Sequence, residues 1–284
     1  MSDMELAMTE YLNVDGGTIA YEVTGATGPL VVLAHGMGDS RAAYRFLTPA
    51  LVEAGSRVAA VDLRGHGESS VGWASYTRTD LAGDLIALVQ HLGGPAALVG
   101  HSIAGGAVTI AAAKAPELVT ALVELAPFTR KQQVRLGDLR VAGYRRGATH
   151  LIGATFLGST RQWAKYLDDA YPGAKPADWD TRMQQITAML EEPGRMKALQ
   201  AMGKISPVDA GEQLGNVTCP ALIVQGTLDP DWASPQAEGE AIVADLPTGL
   251  GRLKMIDGAG HYPHVQFPQQ TLAAVLPFLA GVRA

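Results

Sequence analysis

Six short apolar runs, Leu30–Ala34, Val58–Val61, Ala96–Val99, Ala121–Leu125, Ala221–Val224 and Leu253–Ile256, constrain this chain more than any other feature. Short runs of this kind, interrupted only by Glu124 and Lys254, are what strands buried on both faces look like. Such strands pair in parallel and need crossover helices between them. Helical signals fall at Arg41–Glu53, Asp80–Leu92, Ile103–Lys114, Gln236–Ala244 and Gln269–Leu279, between or after most of the runs. Upstream, alternating residues around Tyr11–Val14 and Thr18–Val23 flank Asp15-Gly16-Gly17, which reads as an antiparallel hairpin. The pattern predicts an α/β protein: a mostly parallel eight-stranded sheet with helices on both faces. At 284 residues and 47% hydrophobic content the chain can bury one sizeable core of this kind.

The most informative turn lies in Ala96-Ala-Leu-Val-Gly-His-Ser-Ile-Ala-Gly-Gly-Ala107. A strand ends at Val99, a tight turn carries Ser102, and a helix of small residues follows. A serine on such a turn has its hydroxyl pushed out of the sheet, with the next peptide N–H aimed at the same space. The sequence is Gly-x-Ser-x-Ala, in which Gly100 and the small pair Ala104 and Gly105 leave room for strand and helix to approach. Gly38-Asp39-Ser40-Arg41-Ala42 fits the same template, but Asp39 or Ser40 reads there as a helix N-cap. Gly67-Glu68-Ser69 reads as a polar loop.

A nucleophilic serine needs a base, and the base needs an orienting acid. Two further strand ends carry candidates: Asp229 and Asp231 after Ala221–Gly226, and His261 and His264 after Arg252–Ile256. Open α/β sheets bind their ligands at such carboxyl ends. Asp231 reads as a solvated loop carboxylate or a cap, and His264 as a structural or pocket-lining residue. Of the other histidines, His101 packs near the turn, His35 tethers the loop after the third strand, and His66 belongs to the loop after the fourth. His91 and His150 read as surface or helix-end residues.

Residues 30–128 and 209–284 resemble the α/β-hydrolase superfamily at five motifs in the expected order. These are His35-Gly36, Asp62-Leu-Arg-Gly-His-Gly-Glu-Ser69, the Ser102 turn, the Asp229 loop and Gly258-Ala-Gly-His261. The resemblance implies Ser102 as nucleophile, His261 as base and Asp229 as its orienter, with an oxyanion hole of the Met37 and Ile103 amides. His35, Gly36, His101 and His264 are expected around the substrate. Residues 129–208, where the strand signal disappears, resemble the helical cap of many members and carry Trp163, Trp179, Pro172, Pro176 and Pro193. Its first part, Arg130 to Arg146, holds six basic residues and the single acid Asp138. That run reads as a solvated face, with a pocket mouth that steers acidic substrates as the alternative.

The implied activity is cleavage of a small-molecule carboxylic ester or lactone through an acyl-enzyme, with no cofactor and no metal. The alternatives are a C–C bond hydrolase acting on a diketone and a receptor that retains the three residues; turnover of p-nitrophenyl esters separates the esterase from the receptor. Serine in the nucleophile position argues against a dehalogenase or an epoxide hydrolase. A net charge of −6 offers no basic surface for nucleic acid. Cys219 is the only cysteine, which leaves no intrachain disulfide, and it reads as a small buried hydrophobe. Met1–Leu6 lacks a basic region followed by an apolar stretch, and Ile103–Ala113 is too short to span a bilayer. A cytoplasmic protein is expected; the oligomeric state is not readable.

Overall fold

A computed structural model describes residues 8–283. The amino-terminal residues read above for a signal sequence lie outside them. Eight strands form one sheet: β1 (Thr9–Val14), β2 (Gly17–Thr24), β3 (Leu30–Ala34), β4 (Arg57–Val61), β5 (Ala96–His101), β6 (Val119–Leu125), β7 (Ala221–Gly226) and β8 (Gly251–Ile256). Their spatial order is β1-β2-β4-β3-β5-β6-β7-β8. The β1–β2 hairpin and its junction with β4 are antiparallel, and every pairing from β4 to β8 is parallel. The direction of winding reverses at β3, which lies between β4 and β5. A crevice therefore opens at the carboxyl ends of β3 and β5, where such sheets bind ligands.

Alternate residues of the central strands feed two cores. Leu30, Val32, Leu98 and Ile223 face one side and Val31, Leu33, Val99 and Leu222 the other. The first side is covered by α2 (Arg78–His91), α3 (Ile103–Lys114) and α9 (Pro235–Asp245), and the second by α1 (Leu47–Glu53) and α11 (Pro268–Arg283). α3 has no polar face, and all but its last two residues are buried, as its run of small residues foretold. The single helix expected at Arg41–Glu53 divides instead into a 3-10 turn, Arg41–Tyr44, and α1. Pro49 is the reason: in a continuous helix its ring would strike the carbonyl of Arg45.

Between β6 and β7 the chain is helical: α4 (Ala142–Leu157), α5 (Thr160–Ala170), α6 (Trp179–Glu191), α7 (Arg195–Gly203) and the short α8 (Val208–Gly211). This insertion has its own apolar cluster, in which Trp163, Tyr166, Leu167, Tyr171 and Leu199 pack with Tyr262 and Val265 of the core. The final short helix before α11, α10 (Pro263–Gln266), carries His264. Cys219 is buried, as expected, and burial pushes its thiol up to about 11. No described helix is long and apolar enough to cross a membrane.

Candidate active site

The turn after β5 holds Ser102 at φ 55°, ψ −119°, a left-handed conformation that a residue with a Cβ rarely adopts. The strain is held by its neighbours. The Ser102 amide donates to Leu125 O at 3.0 Å, and the Phe128 amide donates back to Ser102 O at 3.0 Å. A Cβ at Gly100 would lie 2.3 Å from Ala104 O, so the turn is this tight only because position 100 has no side chain. Ile103 is the first residue of α3, and its amide has no acceptor within the helix.

The loop after β3 runs beside this turn, clamped by two buried histidines. The Leu63 amide donates to His35 Nε2 at 3.0 Å, which leaves the proton on Nδ1 to donate to Gly36 O at 2.7 Å. His66 Nε2 accepts the Gly38 amide at 2.9 Å. Burial pulls His35 down to about 4 and His66 to about 3, so both stay neutral and keep these tautomers. Met37, between the clamped residues, shares a cavity with Ser102 and Ile103.

His261 stands on the loop after β8 with its backbone fixed on both sides. Its amide donates to Ala170 O at 2.9 Å, and its carbonyl accepts from His101 Nε2 at 2.8 Å. The Nδ1 faces two carboxylates: Asp229 Oδ2 at 3.0 Å and Asp231 Oδ2 at 3.1 Å. Asp231 is therefore no solvated loop residue; it is 3% exposed and accepts from the Tyr166 hydroxyl at 2.7 Å. The two acids differ in their donors. Asp229 also receives Gln225 Nε2 at 2.9 Å and the Asp231 amide at 3.0 Å. Asp231 Oδ1 has no partner, and burial raises this carboxyl to about 6 against the pull of His261. Burial opposes a charge on His261 too, but the two carboxylates outweigh it and push the imidazole up to about 9. Asp229, Asp231 and His261 each offer one ligand atom within 4.8 Å of the others. The Nδ1 separations are those of a shared proton, and the Oδ2 atoms that face it also accept from Gln225 and Tyr166, so the group is a hydrogen-bonded cluster.

Ser102 and His261 line one cavity of about 410 Å³, together with Met37, Ile103, Phe128 and Asp231. The insertion supplies much of the remaining wall, including Trp163, Tyr166 and Met202. Three of the histidines expected around a substrate are elsewhere. His35, His101 and His264 are wholly buried, and none of them, nor Gly36, lines the cavity. Gly36 packs against the His101 ring and Ser102 Cβ, while His264 stacks on Tyr44 with ring centroids 5.2 Å apart. The basic run is mostly surface: Arg135, Arg140, Arg145 and Arg146 are exposed, and Arg130 pairs with Glu238 and Asp245 of α9. Ser40 stands at the N-cap position of the 3-10 turn, as expected, but without a side-chain cap bond; both it and Asp39 bind the guanidinium of Arg182 from α6.

Sequence reasoning missed Arg78, the first residue of α2, which is 4% exposed and lines the cavity. A signal was available, because a cation in the first turn of a helix opposes the helix dipole.

The chain is 28% identical over 277 residues to 2-(acetamidomethylene)succinate hydrolase from Mesorhizobium japonicum, covering 94% of each protein. It is similar in structure to a thermophilic esterase from Thermogutta terrifontis studied with malate bound, at 25% identity and a TM-score of 0.75, over 98% of this chain and all of that one. The enol-lactonase from Burkholderia xenovorans shares the fold at a TM-score of 0.74 and 21% identity, over 95% of this chain and all of that one. The model of the alpha/beta hydrolase family matches residues 31–275, and the chain belongs to that family.

Proposed function

We propose that this protein is a serine hydrolase of carboxylic esters or lactones, with Ser102 as nucleophile, His261 as base and Asp229 as orienting acid. One observation carries the reading: Ser102, strained at positive φ at the end of β5, shares a cavity with an imidazole whose other nitrogen lies 3.0 Å from a carboxylate. With Nδ1–H held by Asp229, neutral His261 presents an unprotonated Nε2. Ser102 Oγ then attacks the ester carbonyl while its proton passes to Nε2. The Met37 and Ile103 amides stabilise the negative oxygen of the tetrahedral intermediate. Its collapse expels the alcohol, which takes the proton from Nε2, and leaves Ser102 acylated. Water, losing a proton to the same nitrogen, releases the acid and restores the serine. The insertion serves as a cap that shuts water out of the cavity and sets substrate size. The esterase and hydrolase relatives support ester chemistry over a receptor role.

Ser102→Ala tests this directly. Ester turnover is expected to fall by about 10⁴- to 10⁶-fold, with an unchanged circular dichroism spectrum. A fluorophosphonate probe is expected to label wild type at Ser102. Retention of more than a tenth of the wild-type kcat, or labelling at Ser40, overturns the assignment.

A further inference from the structure

Among the described residues Arg78 is the one buried arginine or lysine that lines the cavity with Ser102, and no carboxylate pairs with it. Nε donates to Phe128 O at 3.0 Å and Nη1 to Ile205 O at 3.3 Å. Among the described residues no carboxylate lies within 4.0 Å of the guanidinium, and no protein group accepts from Nη2. The nearest acid, Asp209, is engaged elsewhere, accepting from the Thr79 amide at 3.3 Å and its hydroxyl at 3.1 Å. Burial depresses this guanidinium to about 10, the mark of a charge poorly compensated by the protein itself. Burying an unpaired charge is costly, and proteins rarely retain one without a partner.

The position is also specific. The Arg78 stem packs against Gly106, one helical turn past Ser102 on α3, and its Nε is held by Phe128, whose amide binds Ser102 O. Four residues of α-helix advance about 6 Å. At the mouth, Lys131 and Lys204 line the same cavity, and among the described residues Asp231 is the only carboxylate in its wall. Three cations thus face the cavity of a chain whose net charge is −6.

We propose that the substrate is a carboxylate-bearing ester, and that Arg78 is the specificity residue that binds its carboxylate. Its acid group accepts from Nη2, which no described protein group uses, while Lys131 and Lys204 draw the anion in. A planar guanidinium suits a carboxylate better than an ammonium does, through parallel N–H donors. The proposal rests on ester cleavage at Ser102, so its test must separate the two.

The readout is the ratio of kcat/KM for mono(4-nitrophenyl) glutarate to that for 4-nitrophenyl hexanoate, esters of similar length with and without a terminal charge. Wild type is expected to favour the glutarate ester by at least about tenfold, and Arg78→Met to shrink the ratio by about 10- to 100-fold, as loss of a charge-assisted hydrogen bond should. Arg78→Lys, which keeps the stem and the charge, is the second variant should Met fail to fold; its ratio is expected between the two. Titration calorimetry with free glutarate reads the same site without turnover. Binding in wild type that weakens at least tenfold in the Arg78 variant supports the site even if neither ester is cleaved, an outcome in which only the esterase reading falls. Equal use of the two esters by wild type, or a ratio and a glutarate affinity that the Arg78 variants leave unmoved, overturns the proposal.

Discussion

Replacing Asp231 by Asn should shift the pH profile of the enzyme while keeping the hydrogen-bond acceptor that replacing Asp229 removes. Both carboxylates lie within 3.1 Å of His261 Nδ1. Two unit charges about 4 Å apart interact by about 4 kcal/mol at an effective dielectric constant near 20. That is about three pH units at 1.36 kcal/mol each. The asparagine dipole and its neighbours recover part of this, so the His261 pKa is expected to drop by about one to three units from its value of about 9. The consequence for rate follows from which states carry the imidazolium. Below the pKa, ground state and transition state both contain it, and the lost carboxylate costs each equally. Above the pKa only the transition state contains it. From pH 6 upward, log kcat/KM for Asp231→Asn should therefore follow the wild-type acid limb. It should then level off one to three pH units sooner, on a plateau lower by as many decades. Asp229→Asn removes the acceptor that fixes the tautomer, and should cost about 10⁴-fold across the whole range. Stopped-flow ester hydrolysis from pH 6 to 10 measures both profiles. A plateau that drops 10⁴-fold in Asp231→Asn with an unshifted midpoint, beside an active Asp229→Asn, would show the acids to be exchanged.

Two further outcomes concern stability. Thr109 Oγ1 lies 3.0 Å from Gly105 O and also contacts Glu124 Oε1, and its one proton can serve only one of them. Thr129 Oγ1 donates to the other oxygen of Glu124 at 2.6 Å, yet burial outweighs both hydroxyls and pushes this carboxyl up to about 7, so its proton is held more tightly folded than unfolded. Stability from this group should decline as pH rises from about 4.5 to 7, by about 3 kcal/mol at most, and urea titrations of Glu124→Gln should lack that decline. A slope equal to wild type over that window refutes the protonated carboxyl. Gly260→Ala would place a methyl group 2.1 Å from Ala170 O and 2.3 Å from Pro172 Cδ, prising the insertion from the His261 loop. A loss of about 1–3 kcal/mol in denaturant midpoints is expected, together with lower kcat; unchanged values of both would mean the contact yields freely.

The strands were legible because their apolar runs are set by burial on both faces, which local composition records. β8, an edge strand, alternates instead, and only its end at Ile256 is buried. The Ser102 turn was legible because its steric demands are local: small residues at 100, 104 and 105 around one serine. Asp231 was not, because what makes it a partner of His261 comes from Tyr166, 65 residues away in the chain. Arg130 misled in the same way, since its partners Glu238 and Asp245 are more than a hundred residues downstream. The histidines show a further limit. His35 as a loop tether and His101 as packing beside the turn were legible, but not that both, with His264, would be buried away from the cavity.

The Tyr166–Asp231 hydrogen bond ties a residue of the insertion to a carboxylate of the core, across an otherwise clean division of labour. The core's strand ends carry the proposed reacting groups, and the helices between β6 and β7 supply much of the wall. A lineage could exchange those helices to meet a new substrate and leave the chemistry untouched, were it not for threads such as this one and the bond from the His261 amide to Ala170 O. Any replacement helix that lacks a hydroxyl at the Tyr166 position strands a second buried acid beside the imidazole. Diversification of the wall is thereby yoked to retuning of the base, and grafted insertions would have to bring a donor for Asp231 or remove the acid altogether.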